Sequence, residues 1–139
     1  MTAPTFTAIR AALATSLQNQ VSGLRATANR PLQVNPPMAV IMPSTGSFAR
    51  YSATFEGEVD YTLRAILLVA PADSTAGEDV LDPYIATSGA QSIWAAVQAD
   101  PTLGGVVSSA AVTEAASYGI MNFTGIDYLA CHFIVSVAV

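Results

Sequence analysis

Residues 59–70 read VDYTLRAILLVA, and the fold turns on this stretch. Successive side chains of a strand point to opposite faces. Val59, Tyr61, Leu63, Ala65, Leu67 and Val69 therefore share one apolar face. The other face begins polar, with Asp60, Thr62 and Arg64, and ends apolar, with Ile66 and Leu68. A strand so patterned is covered along one whole face and, at its far end, on both. Upstream, Tyr51, Ala53 and Phe55 alternate with Ser52, Thr54 and Glu56 before Gly57, which predicts a hairpin leading into this strand.

Working outward, residues 5–20 predict an amphipathic helix. Phe6, Ile9, Leu13 and Leu17 recur at spacings of three and four and lie on one stripe, with Thr5 placed to cap the first turn. Residues 24–28 predict a short strand. Residues 29–37 (NRPLQVNPP) carry three prolines, which lack an amide donor, and predict a loop. Residues 38–42 (MAVIM) fit a buried strand, and residues 43–47 (PSTGS) a loop.

Past the central strand, residues 71–77 predict a linker and the following stretch a helix with Val80, Leu81, Tyr84 and Ile85 inward. Pro83 predicts a kink or a restart near Asp82. Ser88 and Gln91 have capping-box spacing and predict a second helix with Ile93, Trp94 and Val97 inward, ending at Asp100-Pro101. Residues 106–115 predict a strand, with residues 117–123 as its extension. Thr124-Gly125 turns the chain into a last strand, residues 128–139, with Leu129, Cys131, Phe133, Val135 and Val137 on one face. The expected fold class is α+β: one domain over residues 1–139, a mostly antiparallel β-sheet with helices packed on one face.

The composition constrains function more than any motif does. Asp, Glu, Lys and Arg supply 11% of the chain and there is no lysine, against about a quarter charged in an ordinary soluble domain. A chain of 139 residues has a high surface-to-volume ratio and needs polar cover. Its longest apolar run, AILLVA over residues 65–70, is far short of the ~20 residues that span a membrane. The missing polar cover predicts surface hidden against other protein. The net charge of −5, with every arginine in the first half, argues against a nucleic-acid grip. The single cysteine excludes an internal disulfide, and the first residues lack the basic-then-apolar pattern of a signal peptide. Residence in the cytoplasm is the expectation.

Catalytic material is sparse. Cys131 and His132 invite a thiol–imidazole reading, but strand neighbours face opposite ways and cannot form a dyad. Glu56, Glu58 and Asp60 alternate along the predicted hairpin, yet without carbonyl-rich loop geometry they are better read as solvated turn acids than as cation ligands. Asp73, Glu78, Asp79 and Asp82 suit the positive end of a helix dipole. No metal, cofactor or catalytic residue is expected. Two loops look instead like partner surfaces. Residues 43–50 (PSTGSFAR) present Phe48 and Arg50, an aromatic and an arginine being common energetic centres of interfaces, although Phe48 folded onto the core is an equal alternative. Residues 29–37 form a stiff arm carrying Arg30.

Several strings resemble the tail terminator proteins of long-tailed bacteriophages, especially those of actinobacterial phages. They are TFTAIRAALATSLQNQ, PLQVNPPMAVIMP, VDYTLRAILLVA, EDVLDPYIATSGAQSIWAAVQADPTLGGVVSSAAV and the closing GIDYLACHFIVSVAV. The resemblance implies an α+β structural subunit of the virion, assembled in the host cytoplasm and not an enzyme. It implies a homo-oligomer, a hexameric ring, that caps the head-proximal end of the tail tube, stops polymerisation of the tail tube protein and receives the head-completion connector. Genomic DNA would pass through the lumen without specific binding, and the net negative charge of each chain suits passage. If so, Phe48, Arg50 and Arg30 are the candidate contacts to a neighbouring subunit or the tube. Alternatives are another head–tail connector, tail-completion or tail-tube subunit, and a small-ligand-binding domain using tyrosines and carboxylates around an apolar pocket.

Overall fold

The computed structural model describes residues 5–21, 23–29, 37–51, 59–71, 77–123 and 125–139, with the backbone alone for residues 70, 71, 77 and 78. In chain order the elements are α1 (Phe6–Gln20), β1 (Arg25–Thr27), β2 (Met38–Pro43), β3 (Ala49–Tyr51), β4 (Val59–Pro71), α2 (Gly77–Ile85), α3 (Ile93–Ala99), β5 (Ser109–Phe123) and β6 (Ile126–Ala138). The expected turn acids Glu56 and Glu58, the arm with Arg30, and Asp73 lie outside the described residues.

The strands form one sheet in the order β1-β2-β4-β6-β5, and β3 pairs with β4 beyond the end of β2. All pairings are antiparallel except β1 with β2. The strand that decides the fold in the sequence, β4, lies in the middle of the sheet, between β2 and β6. Its apolar alternation continues in register across β6, where Leu63, Ala65 and Leu67 face Val135, Phe133 and Cys131. Side chains in register share a face, so both strands contribute to one core. The α+β expectation of a mostly antiparallel sheet with helices packed on one face is met.

That first face carries the helices. Ile9, Leu13 and Leu17 of α1, Leu81 and Tyr84 of α2, and Ile93 and Val97 of α3 are buried with Ala39, Ile41, Leu63, Leu67 and Val135 of the sheet. Each fully buried Leu or Ile contributes about 1.5–3 kcal/mol. Thr5 caps α1 as expected, its Oγ1 accepting from the Ala8 amide at 3.1 Å. The second face holds a smaller cluster in which Met38, Val40, Ile66, Leu68, Phe123 and Tyr128 are buried. The predicted double cover of the far end of β4 is therefore realised, Ile66 and Leu68 packing on this second face.

Four local expectations are corrected. Helix α3 starts later than the Ser88–Gln91 spacing predicts. Gly89, at φ +104°, opens a turn closed by the Ser92 amide on the Gly89 carbonyl. Ser92 is the cap: its Oγ accepts from the Ala95 amide at 3.0 Å and donates to the Ala86 carbonyl. Trp94 and Val80 are exposed (38% and 42%), not inward. On α3 the buried stripe is Ile93, Ala96 and Val97, and Trp94 stands one residue, about 100°, around the helix from it. On α2 Leu81 and Tyr84 are buried and Ile85 packs partly buried against the core, as expected; of the two outcomes expected at Pro83, the restart does not occur, the residue lying inside a single helix. Finally, β5 begins at Ser109, because Leu103 to Gly105 take positive φ and bend the chain so that Leu103 and Val107 plug the core.

Strands β5 and β6 pair as an antiparallel hairpin, Phe123 facing Ile126 in register. Gly125, at φ +83°, supplies a conformation that side chains disfavour. The pairing of β5 with β6 is irregular between Val112 and Glu114 and between Ala116 and Gly119, and β5 is an outer strand of the sheet among the described residues.

Candidate interaction site

The loop before β3 is held to the sheet by backbone. The Ser44 amide donates to the Thr62 carbonyl (3.0 Å) and the Thr62 amide to the Phe48 carbonyl (2.7 Å). Phe48 is thereby set beside the start of α1. Its ring centroid lies 5.5 Å from that of Phe6, which in turn lies 4.9 Å from Tyr61, both pairs tilted at 44°. The guanidinium of Arg10 sits 5.6 Å above the Phe6 ring and donates through Nη1 to the Ala28 carbonyl at 2.5 Å. Its Nε is buried with no hydrogen-bond partner. Cation–π contact compensates a desolvated guanidinium in part. Phe48 is thus half of each expected alternative: one side of the ring rests on Phe6, and 39% of the residue remains exposed.

Arg50 stands exposed on β3, opposite Asp60 in register. With Ser47, Phe48, Thr62 and Ser136 these two line a cleft of about 320 Å³. Asp60, Thr62 and Ser136 reach it because they occupy alternate positions of β4 and a facing position of β6, on the second face. The cleft is polar, with one positive and one negative side chain across a strand pair. Such a surface can accept and donate hydrogen bonds to a partner's polar rim beside the exposed Phe48 ring. Arg30 lies outside the described residues.

The Cys131–His132 pair is separated by the sheet, as expected. Cys131 is buried on the first face, its Sγ 3.6 Å from the Ala116 carbonyl, and burial pushes the thiol up. His132 lies half-buried on the second face. Burial and then the nearby Arg64 guanidinium push its imidazole below its ordinary value. Arg64 itself donates from Nε to the Pro43 carbonyl at 3.2 Å. Among the described residues no three His, Cys, Asp or Glu side chains gather as a metal-binding group. No described helix is long and apolar enough to cross a membrane.

Sequence reasoning missed a second exposed surface, on the β5 side. Trp94, Tyr118 and Ile120 are 38%, 48% and 59% exposed. The Tyr118 hydroxyl donates to Asp82 of α2 at 3.0 Å. Trp94 borders a cleft of about 160 Å³ with Val112, Glu114 and Phe133. The available signal was the spacing of Trp94 relative to Ile93, Ala96 and Val97, which places it off the buried stripe. Arg10 was also missed, although Phe6 and Arg10 are four apart on one helix face and so meet. No protein-family model and no curated protein sequence matches the chain.

Proposed function

We propose that this chain is a structural, ring-forming subunit of the tail-terminator kind, a virion protein that caps the head-proximal end of a tail tube. The observation that carries the assembly part is the position of its exposed apolar side chains. A chain with 11% charged residues leaves Phe48 and Tyr51 exposed at one side of its sheet and Trp94, Tyr118 and Ile120 at the other. Large apolar side chains left in water at two separate edges mark surfaces that bury on association. The tail part rests on the resemblance of the quoted strings. A terminator needs no chemistry, only geometry: it binds the growing end of the tube and offers no equivalent edge in return.

In this reading Phe48, Arg50 and Arg30 contact a neighbouring subunit or the tube. The test adds the purified chain to polymerising tube protein from the same virion and measures tube length with imaging of the ends. Shortened tubes bearing a ring at one end are expected. Filaments of the chain itself would instead indicate a tube subunit, and binding to portal or adaptor rings a connector. The Phe48→Ala, Arg50→Ala double variant is expected to fold and to lose capping; a folded variant that caps normally removes these residues from the contact.

A further inference from the structure

We propose that the cleft between α3 and β5 is a socket for one arginine side chain, presented by a partner protein other than this chain. The inference goes beyond the reading above and does not need it, since it names the chemistry of a contact and not the assembly that makes it.

The socket is built where β5 departs from regular pairing. Val112 faces Val135 and Glu114 faces Ile134, so Thr113 is an extra residue in this outer strand. Bulges of this kind re-aim side chains, and Val112, Thr113, Glu114 and Ala115 in succession border one cleft of about 160 Å³. Ile85 at the end of α2, Thr87 just beyond it, Trp94 of α3 and Phe133 of β6 complete the wall. Pockets for small molecules begin at about 300 Å³; this one suits a single side chain.

Three features of the wall select a cation. Glu114, which is exposed, is the one ionised side chain among the residues that line the cleft. Helix α2 ends at Ile85, so the negative end of its dipole lies at the cleft, and its last turn carries no basic residue. Trp94 stands exposed at the rim, and an indole attracts a cation placed over its face. Residues 65–139 hold no Arg or Lys, so nothing in α2, α3, β5 or β6 supplies that cation.

Arginine suits the wall better than lysine or an apolar residue does. Its planar group can rest on Trp94 while donating two hydrogen bonds to the Glu114 carboxylate. The Thr113 hydroxyl donates to the Ile134 carbonyl at 3.3 Å, which leaves its oxygen to accept from the same guanidinium. The methylene stem would lie along Ile85, Val112 and Phe133, as basic side chains do on apolar surface. An apolar occupant would strip water from Glu114 and return no hydrogen bond.

The chain itself is short of cations to offer. Ten acids stand against five arginines, with no lysine. Arg10 is held by the Ala28 carbonyl and the Phe6 ring, Arg64 by the Pro43 carbonyl, and Arg50 faces Asp60 in register. Arg25 also has a partner within the chain. A partner bringing its own arginine completes the socket without breaking these contacts.

The test uses Trp94, the one tryptophan of the chain, as its reporter. A short blocked peptide with a central arginine between alanines is titrated into the full chain and followed by tryptophan fluorescence. The same peptide is made with lysine, and with citrulline, which keeps the shape of arginine without its charge. A saturable change with a dissociation constant on the order of 1 mM is expected for the arginine peptide. Binding about fivefold weaker or worse is expected for the other two. Glu114→Gln, an exposed and isosteric change, is expected to keep the parent far-ultraviolet circular dichroism and to weaken the arginine peptide by about the same factor. A flat titration, equal binding of the citrulline peptide, or a folded Glu114→Gln variant that binds as the parent does overturns the socket. Equal binding of the lysine peptide overturns the assignment to arginine. Inert peptides, together with self-association of the chain that Glu114→Gln weakens, would hand the cleft to a second copy and overturn the partner. None of these outcomes bears on capping, which is scored separately by tube length.

Discussion

Cys131 and His132 are neighbours in the chain and strangers in space, and each has its own measurable consequence. A thiol is nucleophilic only as thiolate, and burial in apolar surroundings keeps Cys131 protonated. Iodoacetamide at about pH 8 is expected to label the chain, by intact mass, only once urea has unfolded it; fast labelling of the native chain would contradict the burial. His132 is held neutral by desolvation and by Arg64. Its folded value lies below the ordinary 6.5, so the unfolded chain binds the proton more readily. The contribution to stability is complete above about pH 6.5 and is lost as the pH falls toward the folded value. Urea unfolding of His132→Gln is expected to show a smaller loss between about pH 7.5 and about pH 5.5 than the parent chain. An identical loss in both would remove His132 as a cause. Phe48 shows why single residues were hard to read: an exposed aromatic and a core aromatic have the same spacing, and only the contact with Phe6, distant in the chain, decides how far the ring is covered.

At the scale of elements, the patterns that were legible were those where one physical rule acts alone. The alternation of residues 59–69 and the Phe6, Ile9, Leu13, Leu17 stripe gave β4 and α1 because burial on one face dominates both. The change from Asp60 to Leu68 along the other face of β4 foretold the second-face cluster. Short elements were less legible, because capping and turn geometry compete. The Ser88–Gln91 box and the single Ser92 both satisfy the rule for a helix start, and Gly89 in its turn selects Ser92. Ser92→Ala is accordingly expected to lose about 1 kcal/mol in chemical denaturation, and Ser88→Ala close to nothing. The reverse order would restore the capping-box assignment. Leu13→Ala, emptying a fully buried position on α1, is expected to lose about 2–5 kcal/mol. The candidate surface on β3 was legible as Phe48 and Arg50, but its companion on β5 was not. It depends on which strand becomes an edge, a property of topology that no local pattern contains.

For the whole molecule, the sparse charge of the sequence and the exposed side chains of the fold point the same way. Ordinary small domains cover themselves with charge; this one leaves aromatic and aliphatic groups at both sides of its sheet. In the proposed assembly these groups would be buried by the repeated contact. If Arg50 contributes to the contact, the association is expected to weaken with salt, since charge attraction at a rim is screened over about 8 Å at physiological ionic strength. The most direct measurement is the solution mass of the purified chain by light scattering, alone and with tail tubes, with negative-stain imaging of the same peak. The account predicts a closed ring whose mass is a multiple of 14.4 kDa, formed alone or on the tube end. A single 14.4 kDa species that ignores tubes, or open filaments, would contradict it.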